Sequence, residues 1–377
     1  MTATTRTVEC SADATLWLAF ELGSTKWTLG FTTEAAQKPR LRTIAAGDLP
    51  GLTREIAAAK VRFGVGAETP VRSVYEAGRD GFWLHRWLVG QGVDNIVVDS
   101  SSIEVKRRAR HAKTDRLDVR KLLEQLLRWA GGARRTWSVV HVPTAEAEDA
   151  RQLARAIETV GVDGTRVRNR IHGLLATQGV RLELTGDVPA QLALMQTGDG
   201  RPVPPALRAR LAQEWAFLQT IEARARQLAA ERAEQIAQGT TRVAEVARAL
   251  VRLRGVGATS AALYSAELLG TRTFQNGRQL SALSGLAPVP YRSDQRVGDL
   301  GISKTGRSAI RRVAVQGAWC WVRWQPDSAL TQWFTRRFAA AGKRARRIGI
   351  VAVARKLLVA LWRFVEHGVI PDGAIVQ

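Results

Sequence analysis

Apolar and polar residues follow two successive patterns in the first hundred residues. Short alternating runs, rich in aromatic residues, come first and predict strands. They cover residues 16–22, 26–33 and 41–46. The pattern then changes to alternating helix and strand, with helices at 52–63 and 83–89 and strands at 71–75 and 96–98. Three antiparallel strands followed by alternating helices and strands predict a ribonuclease-H-like α/β domain.

Two acidic residues lie at the ends of strands in this predicted sheet. Glu21 is near the end of the first strand, and Glu76 directly follows the fourth. A lone carboxylate on a buried strand is costly unless it is paired or binds a metal ion. Glu21 and Glu76 are therefore the first and second acids of a predicted cluster, although Glu76 alone is also compatible with a surface or capping role.

A second pair of acids begins an amphipathic helix after residue 114. Asp115 and Asp118 are three residues apart, so they share one face of that helix. Carboxylates that gather from separate elements under a basic rim suit Mg²⁺ or Mn²⁺ acting on a phosphodiester. The alternative is that both aspartates only stabilise the helix dipole from its first turn.

The charge of the chain points to a polyanionic partner. Its 377 residues carry a formal charge of +22 and give a pI near 11.3, which favours nucleic acid. An anionic membrane surface is the competitor, but no apolar run of about 18 residues is present. The run before Asp115 supplies the predicted contacts Lys106, Arg107, Arg108, Arg110 and Lys113.

The middle of the chain has two long helical patterns, at 143–176 and 203–238, joined by a segment rich in glycine and proline. They predict an antiparallel, coiled-coil-like arm, with a plain helical spacer as the alternative. The predicted organisation is a loose tail at 1–14, an α/β domain at 15–142, the arm at 143–239 and a mainly helical domain at 240–377.

The last domain contains two features typical of nucleic-acid binding. Gly255 and Gly257 separate two helical runs, as in a helix-hairpin-helix, whose loop amides face a DNA phosphate. Further along, the segment from residue 280 to 319 is polar, basic and rich in glycine, yet lies between helices at its two ends. It is interpreted as a functional loop.

Ser293 lies in that loop among cations. Arg292, Arg296 and Lys304 are placed to hold a phosphate, and the loop glycines allow close backbone approach. A serine in a basic loop is more often a turn residue, so its residue type alone leaves the role open. Ser303 and Ser308 are rivals, and they suit capping of a helix that starts near Lys304.

Three blocks of the sequence together resemble the one-hundred-and-ten family of insertion-sequence transposases. They are YEAGRDGFWLHRWL, then VVDSSSIEVKRRARHAKTDRLDVRKL, and then LRGVGATSAALYSAELL with LSGLAPVPYRSD and GISKTGRSAIRRVAVQGA. The resemblance extends from about residue 16 to 365. It implies a resolvase-like N-terminal domain of ribonuclease-H fold, a helical linker and a C-terminal transposase domain. It further implies a DNA recombinase guided by a structured non-coding RNA, the bridge RNA.

The resemblance also assigns catalytic positions. Its four metal-binding acids match Glu21, Glu76, Asp115 and Asp118, and its nucleophilic serine matches Ser293. This chain departs from the family at two of these places. Glu21 stands where the family usually has aspartate, and Ser293 is followed by aspartate where glycine is common. Mg²⁺ accepts oxygen ligands from either acid, so the site is expected to survive with adjusted geometry.

The leading interpretation is a cytoplasmic DNA transposase or site-specific recombinase that uses Mg²⁺ and a serine, and works on donor and target DNA as a homo-oligomer. Three alternatives remain. They are a site-specific invertase on the same scaffold, a metal-dependent junction-resolving nuclease in which Ser293 is inactive, and a non-catalytic RNA- or DNA-binding protein. Two cysteines, Cys10 and Cys320, exclude a cysteine zinc site or a disulfide framework.

Overall fold

The computed structural model describes residues 14–103, 114–293 and 296–377, with the backbone alone at 291–293 and 296–300. The chain forms two compact units, residues 1–143 and 144–377. The four-part division expected from the sequence stays a prediction. No helix within the described ranges is both long and apolar enough to span a lipid bilayer.

The first unit is built on a five-stranded mixed sheet. Its strands are β1 (Leu16–Leu22), β2 (Lys26–Thr32), β3 (Arg40–Ala45), β4 (Val71–Glu76) and β5 (Asp94–Val98). Their order across the sheet is β3-β2-β1-β4-β5. The first three strands pair antiparallel, whereas β4 runs parallel to both β1 and β5. The five strands and the mixed α/β class predicted from the sequence are confirmed.

Helices cover both faces of this sheet, and the alternation of side chains along β1 explains why. Leu16, Leu18 and Phe20 are buried on one face, under α1 (Leu49–Phe63) and α2 (Trp83–Gly90). Ala19 lies on the other face, where it joins a cluster with residues of α3 (Asp115–Ala130). Because β1 is buried on both faces, its sequence is a nearly continuous apolar run.

The direction of α3 matters for the position of its acids. Val119 packs over Gly30, which is paired with Ala19 of β1; a Cβ at Gly30 would collide with the Val119 side chain. Further along α3, Leu127 lies in a cleft with Thr32, which pairs with the start of β1 at Trp17. The helix therefore runs opposite to β1, and its N-terminus points toward the carboxyl ends of β1 and β4.

The second unit begins with an antiparallel pair of long helices, α4 (Ala145–Ala176) and α6 (Pro205–Gln238), with the short α5 (Val188–Leu194) between them. Ion pairs show the direction, since Arg168 Nη2 lies 2.7 Å from Glu222 Oε1 and Arg170 Nη2 lies 2.6 Å from Glu214 Oε2. A Cβ at Gly164 would lie 3.4 Å from Ile221 Cγ2, so glycine there permits close packing. The predicted antiparallel helices are confirmed.

The rest of the second unit is mainly helical around one large apolar core. Its helices are α7 (Arg242–Val251), α8 (Ala258–Tyr264), α9 (Gly277–Leu283), α10 (Ser308–Trp324), α11 (Ala329–Phe338) and α12 (Lys343–His367). A π-helical turn, Ser265–Leu269, continues α8. The strands β6 (Pro288–Ser293) and β7 (Arg296–Ile302) form an antiparallel hairpin.

The prediction of a functional loop at 280–319 is therefore wrong as a description of the structure. It contains the end of α9, the β6–β7 hairpin and most of α10. The glycines and charges suggested an open loop, but β-branched residues such as Val289 and Val297 lie among them. Pairing between two separate short segments stabilises the hairpin, and no single segment shows that pairing in its own sequence.

Candidate active site

Glu21 and Glu76 lie side by side at the carboxyl edge of the first unit's sheet. The parallel register pairs Phe20 of β1 with Tyr75 of β4, and the two glutamates are the next residue of each strand. Neighbouring strands are about 4.8 Å apart, so the backbones carrying these carboxylates are adjacent. Both residues are half-buried and line one cleft of about 170 Å³.

Both glutamates project on the face that α3 covers. Ala19 and Val74 pack against α3, and side chains two residues apart on a strand share a face. Glu21 and Glu76 follow those residues by two positions. The sheet thus directs both carboxylates toward the side from which the other two predicted acids come.

Asp115 and Asp118 lie in the first turn of α3. Asp115 is exposed, Asp118 is half-buried, and Thr114 caps the helix by accepting a hydrogen bond from the Leu117 amide. From Val119 back to Asp115 the helix rises about 6 Å, which is close to the distance of about 7 Å from Ala19 to Glu21 along β1. The acids of α3 are therefore carried toward the same edge as the glutamates.

The described side chains do not form a complete metal-binding group. Among them, no set of three or more histidine, cysteine or acidic residues is arranged to hold a metal ion. Neither Asp115 nor Asp118 lines the cleft of Glu21 and Glu76. The structure brings two of the four acids together and directs the others to the same edge, and metal binding by the four stays a prediction.

Two polar residues of the cleft were missed by the sequence reasoning. Asp80 and Ser100 both line it, and the Ser100 hydroxyl donates to the Ala77 carbonyl at 3.0 Å. Asp80 follows β4 and Ser100 follows β5, so both belong to connections that leave the carboxyl edge. Their positions in the sequence could have identified them, because segments that follow adjacent parallel strands meet at one edge of the sheet.

The basic run before α3 falls outside the described residues. That holds for Lys106, Arg107, Arg108, Arg110 and Lys113. The run connects the short 3₁₀ helix Ser100–Ser102, beside the cleft, to Asp115 at the start of α3. Its two flanks therefore lie at the carboxyl edge, and its role in nucleic-acid binding stays a prediction.

Ser293 is the last residue of β6 and pairs with Arg296 across the β6–β7 hairpin. The side chains of Ser293, Arg292 and Arg296 are outside the described part, so their catalytic and phosphate-binding roles stay predictions. The base of the hairpin is well anchored. The Ser303 amide donates to the Ala287 carbonyl at 2.9 Å, and the Lys304 amide donates to the Gly285 carbonyl at 3.1 Å.

Lys304 has an unusual backbone conformation just after the hairpin. With φ of 56°, it is the one residue other than glycine with a positive φ in the described ranges. Such a conformation costs on the order of 1 kcal/mol and persists where surrounding contacts hold it. Here the neighbouring Thr305 hydroxyl donates to the Ala282 carbonyl at 3.1 Å, and Arg311 Nη1 donates to the Thr305 carbonyl at 2.6 Å.

The predicted capping roles of Ser303 and Ser308 are wrong. The helix starts later than expected, because Lys304 and Gly306 are both left-handed and delay it until α10 begins at Ser308. Arg307 occupies the capping position, without a side-chain cap. The Ser303 hydroxyl instead lies 3.1 Å from the Thr305 hydroxyl.

A buried ionic network fixes the end of this loop. Arg307 forms ion pairs with Glu267 of the π-helical turn and with Glu158 of α4. Glu267 is only 7% exposed and also accepts a hydrogen bond from Arg155 Nε at 3.1 Å. Arg151 is equally buried nearby, and burial lowers the pKa of its guanidinium, against the opposing effect of Glu267. The network joins the loop after the hairpin to the helical arm.

Gly255 and Gly257 lie between α7 and α8, as predicted. Gly255 has φ of 87°, and a Cβ there would lie 3.3 Å from the Cys320 carbonyl of α10. The Arg254 amide of this loop donates to the Ile375 carbonyl at 3.1 Å. The loop thus packs within the second unit, and contact between its amides and DNA stays a prediction.

Known proteins similar to this chain are transposases. A model of the transposase IS116/IS110/IS902 family matches residues 247–332, which include the α7–α8 loop, the hairpin, and Glu267 and Arg307 of the ionic network. A putative transposase, y4rJ, of Sinorhizobium fredii is 36% identical over 375 residues, covering 96% of this chain and 94% of that protein.

Two further similar proteins are more distant. The transposase for insertion sequence element IS1328 of Yersinia enterocolitica is 24% identical, over 61% of this chain and 68% of its own. The transposase for insertion sequence element IS1111A of Coxiella burnetii is 26% identical, over 62% and 61%. With the near full-length match to the Sinorhizobium protein, these comparisons show that the chain belongs to the IS116/IS110/IS902 family of transposases.

Proposed function

We propose that this protein is a DNA recombinase-transposase that cuts and rejoins strands with an acidic Mg²⁺ site and a nucleophilic serine. Membership of a transposase family implies DNA binding and transposition, and therefore cleavage and rejoining of DNA. The observation that carries the assignment of the site is the placement of Glu21 and Glu76 on adjacent strand ends, in one cleft and on the α3 side.

The strand arrangement supports a ribonuclease-H-like assignment for the first unit. The order β3-β2-β1-β4-β5 puts the first strand at the centre of the sheet, with an antiparallel neighbour on one side and a parallel one on the other. In this proposal, the carboxyl edge of β1 and β4 is where acids from two strands and one helix would meet. Carboxylate oxygens are the ligands that Mg²⁺ prefers.

Glu21, Glu76, Asp115 and Asp118 are the residues that would hold Mg²⁺. A bound Mg²⁺ would stabilise negative charge on the phosphate that is being transferred. The half-buried position of the glutamates keeps their carboxylates at the cleft, with the backbone fixed by strand pairing on both sides. The exposed Asp115 and half-buried Asp118 approach from α3.

The proposed covalent step belongs to Ser293. Its hydroxyl oxygen attacks a DNA phosphorus and forms a phosphoserine ester, while the bond from phosphorus to one chain oxygen breaks. The serine hydroxyl loses its proton, and the leaving chain oxygen gains one. Attack by a hydroxyl of the partner strand then reverses these steps and frees the serine. The bond energy is conserved, so no nucleotide cofactor is needed, and the sequence has no GxxxxGK[ST] motif.

The anchoring of the hairpin supports this role for Ser293. Two backbone hydrogen bonds hold the base of the hairpin to the α9–β6 connection. Arg307, at the end of the following loop, forms an ion pair with Glu158 of α4. A nucleophile must be held within a fraction of an ångström of its productive position, which requires a rigid support. Lys304, held in its left-handed conformation at the base, is a candidate phosphate contact together with Arg292 and Arg296.

Guidance by a bridge RNA and action as a homo-oligomer form part of the same proposal. Their support is the resemblance to the family together with the formal charge of +22, which suits more than one nucleic-acid partner. Where the two sites belong to different subunits, an oligomer is required for them to act on one phosphate.

Trapping the covalent intermediate tests the proposal. A nicked suicide substrate with wild-type protein is expected to give a protein–DNA adduct whose peptide maps to Ser293. Ser293→Ala should give neither adduct nor recombination, although it should still bind DNA and RNA. Ser303→Ala is the matched control, and it should form the adduct and recombine DNA like the wild type. Recombination by Ser293→Ala would replace the serine mechanism with the metal-dependent nuclease alternative.

A further inference from the structure

A cleft in the second unit lies between α9, the start of β6, the start of α11 and α12. Its volume is about 1040 Å³. Four cationic residues line it, with Asp372 as the one acid among the lining residues: Arg278, Arg355, Lys356 and Arg363. None of these cations belongs to the positions that the sequence pattern singled out.

The periodicity of α12 explains why the cations face this cleft. One face of the helix is buried in the core of the unit and includes Val353, Leu357 and Leu361. Arg355 and Arg363 lie on the opposite face and are therefore turned away from the core. Along the helix they are about 12 Å apart, so they form a cationic stripe.

Arg278 comes close to that stripe because of a glycine at the start of α9. A Cβ at Gly277 would lie 2.9 Å from Val359 Cγ1 of α12, which is tighter than side chains tolerate. The absence of a side chain there lets α9 pack directly on α12. Packing of this kind gathers like charges around the cleft, which is unfavourable unless an anion lies among them.

The cations of the cleft differ from the ion-paired arginines elsewhere in the unit. On α4, Arg168 and Arg170 are paired with glutamates of α6. Glu366, the one acid of α12, pairs with Arg242 of α7 at 3.3 Å. None of the four cleft cations forms an ion pair with a carboxylate among the side chains that the structure describes; Lys356 Nζ instead lies 5.0 Å from the centre of the Trp333 ring.

The cleft is also connected to the hairpin that carries Ser293. Ala287 and Pro288 line it, and Pro288 is the first residue of β6. At about 3.3 Å per residue, Ser293 lies roughly 17 Å along the strand from the cleft. A nucleic-acid strand held in the cleft therefore needs to extend only a few nucleotides to reach the tip of the hairpin.

We propose that this cleft binds the sugar–phosphate backbone of the DNA that flanks the phosphate attacked by Ser293. The proposal rests on the proposed function for its choice of DNA over RNA, because the hairpin that begins in the cleft carries the nucleophile for DNA. Cations 12 Å apart span three to four phosphates of one strand, at about 3.4 Å of duplex axis per phosphate. The exposed Val369 and Ile370 provide an apolar wall beside the cations that suits deoxyribose.

The test measures DNA affinity, without any need for catalysis, in the Ser293→Ala background. Arg355→Gln/Arg363→Gln is compared with Arg344→Gln/Arg347→Gln, which removes two exposed cations of the same helix outside the cleft. Affinity for a labelled duplex with the element's end sequence is measured over a range of salt concentrations. The cleft variant should bind at least about tenfold more weakly near 0.15 M salt, and its log–log salt slope should fall by about two.

Three further arms make the outcome decisive. Arg355→Lys/Arg363→Lys keeps the charge and should recover most of the affinity, and thermal unfolding shows that each variant is folded. Equal losses in the cleft and control variants would overturn the proposal, since the effect would then come from overall charge. A loss of affinity for a structured RNA of equal length, with DNA affinity kept, would make the cleft an RNA site and overturn the choice of DNA. None of these binding measurements requires catalysis by Ser293. Their outcomes can therefore be interpreted even when the serine mechanism proves wrong.

Discussion

Glu21 shows how much a single residue depends on its neighbours in this fold. It lies beside Glu76 at the carboxyl edge of the sheet and shares a cleft with it. Two carboxylates at adjacent strand ends favour a cation close to both of them. The extra methylene of glutamate, relative to the aspartate usual in the family, changes the reach of the carboxylate but keeps its charge and its ligand oxygens.

The charge of Glu21 is therefore expected to matter more than its length. Glu21→Gln keeps the size of the side chain but removes the charge, and should lower the rate of strand cleavage about 100-fold or more. Glu21→Asp should keep measurable activity. The measurement is cleavage of labelled donor DNA with Mg²⁺ present, with DNA binding as the control. Full activity in Glu21→Gln would show that it is not a ligand.

At the scale of elements, the π-helical turn and the start of α10 are held together by charge. Glu267 is buried in the turn, where a carboxylate is costly without partners. Arg307 approaches it from the loop after the hairpin and also reaches Glu158 of α4. The contact ties three elements at one point, so the loop that carries Lys304 depends on a residue of the helical arm.

Removal of Arg307 should destabilise the second unit strongly. Arg307→Ala leaves Glu267 with fewer partners in a buried position, and should lower the free energy of unfolding by about 3 kcal/mol. The matched control is Arg312→Ala, because Arg312 also pairs with Glu158, at 2.7 Å, but is 52% exposed. That change should cost less than about 1 kcal/mol. Urea unfolding measures both, and equal effects would show that burial of Glu267 does not determine the energy.

At the scale of the whole molecule, the formal charge is +22, and among the side chains that the structure describes some of the cations form ion pairs whereas others do not. Several arginines of α4 and α6 are paired with glutamates, as in the pairs Arg168–Glu222 and Arg224–Glu231. The basic run before α3 and the cations of the α9–α12 cleft are two of the places where positive charge is concentrated in sequence or in space. Nucleic-acid affinity should therefore depend on these two places more than on the arm.

Salt dependence distinguishes the two kinds of cation. Replacing Lys106, Arg107 and Arg108 with alanine should reduce the slope of log affinity against log salt by about three, since each cation displaces counterions from one phosphate. The control changes Arg168, Arg170 and Arg224 to glutamine, an equal change in charge on residues that are already ion-paired. An unchanged slope in the first variant would show that the basic run is solvated and does not contact nucleic acid.

Local pattern was sufficient to predict most of the elements. The alternation over β1 and β2 and the helical period over α4 and α6 lie within single segments, where side-chain direction depends only on the period of the backbone. The same holds for the acids at strand ends and for the glycines between α7 and α8. Where a short element depends on a partner, as with β6 and β7, the local pattern was misleading and suggested a loop.

The tertiary structure alone decided which residues meet. Glu21 and Glu76 are 55 positions apart in sequence, and only the parallel pairing of β1 with β4 places them in one cleft. Local sequence pattern also did not predict the direction of α3, the ion pairs of Arg307 or the approach of Arg278 to α12. Each depends on packing between distant segments, such as the contacts of Gly30 with Val119 and of Gly277 with Val359. Periodicity records the side of an element that is buried, but not the element that buries it.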